Sequence, residues 1–99
     1  MDSETVGMIH QYLDNYIEDK ILLKNAELWR TIKMSGSIEN EKSALIGQLY
    51  GATLRLYCNT QGIEEKNIEQ LNLKEFNDFF ISRLDGLEEQ VEVALKTII

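Results

Sequence analysis

Ninety-nine residues with 43% hydrophobic content suffice for one small domain around one core. Charged residues make up 27% and the net charge is −7, so the chain is not disordered by composition, and it is poorly matched to nucleic acid or an anionic membrane. Proline is absent, which with frequent Leu, Glu, Lys and Gln predicts an all-α fold. The expected architecture is a single domain over 1–99, a small bundle of three main helices plus one short one.

The first helix is predicted over 1–34, capped by Asp2 or Ser3, and its apolar stripe changes sides halfway along. Val6, Ile9, Tyr12, Leu13, Tyr16 and Ile17 share one face, and Ile21, Leu22, Ala26, Leu28, Trp29 and Ile32 form a second. On one helical wheel the two faces lie roughly 170° apart. A straight helix cannot bury both against one surface. Either it kinks near Glu18-Asp19-Lys20 or it acts as an oligomerisation arm, and the absence of Gly and Pro between Gly7 and Gly36 favours the arm.

Ser35-Gly36-Ser37 reads as a turn, with Ser37 capping a central helix over 37–60 and Gly62 as its left-handed stop. Ile38, Leu45, Leu49, Ala52 and Leu56 give this helix a stripe that Ile46, Tyr50 and Tyr57 widen, leaving a narrow polar strip of Glu41, Gln48, Arg55 and Asn59. It should be the most buried element. Ser43, Gly47 and Gly51 form a ridge poor in side chains, and two interior glycines cost about 1 kcal/mol each, so a close helix crossing, internal or between subunits, is expected there. Residues 63–71 read as a short helix or connector. The last helix, 72–99, opens on Asn72 with Glu75 in capping-box spacing and keeps Phe76, Phe80, Leu84, Leu87, Val91, Ala94 and Ile98 on one face, with Gly86 a soft spot on its polar side.

Charge is uneven along the chain: six acids and four bases in 1–34, two and two in 35–62, nine and four in 63–99. The acidic last third suits a basic protein partner. No candidate membrane span or secretory leader is read, so a cytoplasmic location is expected.

Chemistry is hard to assemble from this inventory. One His and one Cys exclude zinc sites built from those ligands within one chain, and Cys58 reads as a small buried apolar residue. His10 reads as an exposed surface histidine. Asp14 with Glu18, and Asp85, Glu88, Glu89 and Glu92, read as solvated helix faces. The run from Gln48-Leu49-Tyr50 to Gly62-Ile63-Glu64 resembles the helical pyrophosphohydrolases of the MazG type in having a Leu-rich central helix and a Gly-Ile-acid loop. That family's metal-binding carboxylates would stand where this chain has Leu45, Ile46 and Gln48, so the resemblance implies no metal site here.

Arg55, the only charge between Lys42 and Glu64, should pair with an acid of the last helix or of a second subunit. The expected function is a non-enzymatic helical interaction module, a small adaptor, regulator or assembly component, with no cofactor, metal or catalytic residue. It should act as a homo-oligomer, a dimer first of all. Interface residues are expected at Val6, Ile9, Leu13, Tyr16, Trp29, Gly47, Gly51, Arg55, Leu95 and Ile99. The alternatives are a helical-bundle Mg²⁺-dependent nucleotide hydrolase and an acidic mimic of nucleic acid.

Overall fold

In the computed structural model, which describes residues 1–98, four α-helices and one 3₁₀ segment follow in order: α1 Ser3–Glu18, α2 Ile21–Met34, α3 Glu41–Thr60, the 3₁₀ segment Glu65–Gln70, and α4 Leu73–Thr97. The fold is all-α. It differs from the expected one at the first helix, which is two. Lys20 adopts a left-handed conformation (φ 61°, ψ 20°), and the Asp19 and Lys20 amides close α1 on the Asn15 and Ile17 carbonyls at 2.8 and 3.2 Å. The kink therefore prevails over the arm. Each half turns its own stripe inward, which neither Gly nor Pro was needed to achieve.

Asp2 caps α1, its Oδ1 accepting from the Thr5 amide at 2.7 Å. α3 begins three residues later than Ser37 would have placed it, because Asn40 is the cap, accepting from the Ser43 amide at 3.0 Å. Ile38 therefore lies before the helix rather than on its stripe. Gly62 at φ 66° stops α3, and Ile63 N donates to Cys58 O at 3.0 Å in the manner of a left-handed helix end. Asn72 caps α4 through the Glu75 amide at 3.0 Å, and α4 runs through Gly86 without interruption. Its 25 residues span about 37 Å at the α-helical rise, close to the 40 Å long dimension of the molecule.

α1 and α2 both pack on α3, and α2 and α3 both pack on α4. The buried side chains form one cluster, with Ile9, Leu13 and Tyr16 from α1, Leu22 and Ala26 from α2, Leu45, Leu49 and Tyr57 from α3, and Phe76, Phe80, Leu87, Val91 and Ala94 from α4. Phe76 is its aromatic centre. Tyr57 stacks on it with centroids 5.2 Å apart, and Tyr50 meets it edge-on at 5.6 Å while donating through Oη to Asn77 Oδ1. Such pairs add about 0.5–1.5 kcal/mol each beyond area burial.

Candidate functional site

The rotational setting of α2 decides what the molecule shows to its surroundings. Four side-chain hydrogen bonds tie this helix to the other three: Asn25 Nδ2 donates to Tyr16 Oη, Trp29 Nε1 to Gln48 Oε1 at 2.8 Å, Arg30 Nε to Glu41 Oε2 at 2.5 Å, and Arg30 Nη2 to the Leu95 carbonyl at 2.9 Å. Glu41 is the buried acid among them, and the Arg30 hydrogen bond, reinforced by the Arg30 and Lys33 charges, holds its carboxyl below the usual carboxylate range. The polar strip expected on α3 is corrected here. Glu41 faces α2 rather than water.

With α2 fixed this way, Leu22 and Ala26 point into the core and Ile21, Leu28 and Ile32 point out, 40%, 62% and 36% exposed. The second apolar face therefore splits. Its exposed members recur at seven and four residues, so they line up along one side of α2, with half-buried Asn25 filling the remaining place in the series. The row matters because the surface around it is charged, with Lys24 and Glu27 on α2 itself. Sequence periodicity placed all six apolar residues in one stripe. What it missed is that Leu22 and Ala26, with half-buried Trp29, take the inner face, and the alternation of the two series at 21, 25, 28, 32 and 22, 26, 29 was the available signal.

The residues expected at an interface are scattered by the fold. Ile9, Leu13 and Tyr16 are buried in the chain's own core, so they offer no surface to a second subunit, and Val6 is half-buried beside them. Trp29 is half-buried and engaged with Gln48, and Leu95 packs against the core with its carbonyl bound by Arg30. Gly47 is exposed and Gly51 half-buried, and a Cβ added at either would meet nothing within 4 Å. No internal helix crosses there, which corrects that part of the expectation. Arg55 is exposed and pairs with Glu65 of the 3₁₀ segment at 2.5 Å, not with α4. Ile99 lies outside the described residues.

The remaining chemistry is equally dispersed. Arg55, Cys58, Glu65, Gly51, Leu54 and Ile68 line a cavity of about 310 Å³. Burial pushes the Cys58 thiol up, away from the reactive thiolate, as the sequence reading of an inert cysteine implies. His10 is not a free surface histidine. It packs edge-on against Phe79 at 5.0 Å and its Nδ1 meets Arg83 Nη1 at 2.5 Å, while Arg83 Nη2 donates to Asp14 at 3.2 Å. Among the described residues, no three His, Cys, Asp or Glu side chains gather as a metal-holding group, and no helix is long and apolar enough to cross a membrane. Comparison with known proteins yields no match: no protein-family model, curated protein or solved structure is significantly similar to the chain.

Proposed function

We propose that the chain is a non-enzymatic, cytoplasmic interaction module that acts as a homo-oligomer through the outer face of α2. The observation that carries the reading is the row Ile21, Leu28 and Ile32, exposed on a helix that four side-chain hydrogen bonds hold in place. An apolar row on a surface rich in charge is the usual mark of an interaction site. A pinned helix also loses little conformational freedom when it docks, which lowers the cost of association.

Light scattering across a concentration series tests it. The mass should rise from 11.4 kDa toward twice that value, and Leu28→Asp combined with Ile32→Asp should hold it at 11.4 kDa with helicity unchanged by circular dichroism. A wild-type mass fixed at 11.4 kDa up to millimolar concentration would contradict the reading.

A further inference from the structure

We propose that the turn joining α1 to α2 is a hinge, and that straightening it lets two copies of the chain exchange their α1 helices in a domain-swapped dimer. The outer face of α2 takes no part in it. Among the described residues Lys20 is the only non-glycine residue with positive φ, at 61°, so a side chain is carried into the left-handed region that glycine tolerates best. Strain in so short a connection is the usual setting for exchange of an element between copies.

The chemistry around the turn is that of a helix interior. α1, α3 and α4 each open on a capping side chain, from Asp2, Asn40 and Asn72, whereas no side chain caps α2 and its first amides are left to solvent. The charges are also reversed for two helix ends. α1 closes on Glu18 and Asp19 with no base in its last turn, and α2 opens on Lys20 with no acid in its first. In a continuous helix the Ile21, Leu22 and Leu23 amides would donate to the Ile17, Glu18 and Asp19 carbonyls, and both dipole conflicts would vanish. No Gly or Pro between Gly7 and Gly36 opposes that continuity.

The phase of the two halves decides what α1 then meets. On one straight helix, Ile9, Leu13 and Tyr16 lie about 140° from Leu22, Ala26 and Trp29. With α2 kept in its own core, the α1 stripe turns away from that core, and Ile9 and Leu13, fully buried in the closed chain, would be bare. The surface that fits them is the groove the second copy's α1 has left, since the same α2 and α3 form it. Exchange is therefore reciprocal and closes on two copies. It remakes the α1 contacts between chains, including the edge-on packing of His10 on Phe79 at 5.0 Å and the Asn25–Tyr16 hydrogen bond. Because α1 must first leave the core, folded single chains do not exchange on simple concentration; the dimer forms on refolding at high concentration and then persists.

The test uses the chain carrying Leu28→Asp and Ile32→Asp, in which the α2 face is disabled. Equal parts of isotope-labelled and unlabelled chain are refolded together from urea at millimolar concentration. Size exclusion then isolates the fraction of doubled mass, and circular dichroism checks its helicity. Isotope-filtered NMR should show His10–Phe79 cross-peaks between labelled and unlabelled chains. Lys20→Gly in the same background relieves the turn and penalises the continuous helix in both copies, and should lower the dimer fraction by about tenfold or more at matched concentration. A refolded sample of single-chain mass alone, cross-peaks confined within each chain of the dimer, or a dimer fraction indifferent to Lys20→Gly would each overturn the exchange. None of these outcomes bears on the α2 face, which light scattering of the natively folded wild type decides.

Discussion

α1 and α2 are of similar length, 16 and 14 residues, and join through two residues, yet they spend their apolar side chains differently. Every member of the α1 stripe is buried or half-buried, with Ile9 and Leu13 fully so, whereas α2 buries Leu22 and Ala26 and leaves Ile21, Leu28 and Ile32 outside. Both helices pack into the core and both make side-chain hydrogen bonds, but α2 buries fewer apolar side chains and adds the Trp29 and Arg30 bonds to α3 and α4. The contrast separates the residues that make this fold from those available to do something with it.

The largest expected effect lies on the α1 side. Leu13→Ala should cost about 2–5 kcal/mol in urea denaturation, because Leu13 is fully buried and the cavity cannot collapse in a core shared by all four helices. Leu28→Ala should stay within about 0.5 kcal/mol at concentrations where the protein is a single chain. Comparable losses at the two positions would erase the distinction.

Glu41→Gln tests the polar tether of α2. Removing a largely buried carboxylate that binds Arg30 should cost about 1–2 kcal/mol, between the values for exposed and fully buried pairs. Because the folded-state value of Glu41 is depressed, its contribution is present above the ordinary carboxylate value of about 4.3 and lost as pH falls below it. The stability gap between wild type and Glu41→Gln should therefore narrow as pH drops from about 6 to about 3. A gap independent of pH would mean the pair contributes no net charge interaction.

Smaller gains are expected at the α3 ridge. Gly47→Ala and Gly51→Ala should each stabilise by about 0.5–1 kcal/mol, since the added methyl meets open space and helical alanine outranks glycine. A loss at either would show that this face is closed against something.

The α3 and α4 cores were readable because their apolar residues keep one phase over 20 and 25 residues, and the Asp2, Asn72 and Gly62 helix ends because each rests on local chemistry. The Asp19-Lys20 turn was only half readable. Its place near Glu18-Asp19-Lys20 was visible in the change of stripe, but the choice of a kink over an arm was not, since the bend rests on a lysine in a left-handed conformation, which no residue preference announces. The Arg30–Glu41 tether and the His10–Arg83–Asp14 cluster were out of reach, since they join residues of different helices whose relative rotation no local pattern sets. The outer row of α2 was missed for the same reason. Its residues were seen, but not which of them α3 and α4 would leave uncovered.

The separation of a packed α1 from an outward-facing α2 depends on the turn at Lys20, and the stability of Lys20→Gly measures it directly. Glycine relieves the left-handed strain of the bend, so the variant should be more stable than wild type by about 0.5–1 kcal/mol, with both apolar faces placed as described. If residues 3–34 were instead one continuous helix, the same glycine would sit in a helix interior and destabilise by about 1 kcal/mol, and the division between the two halves would fall with it.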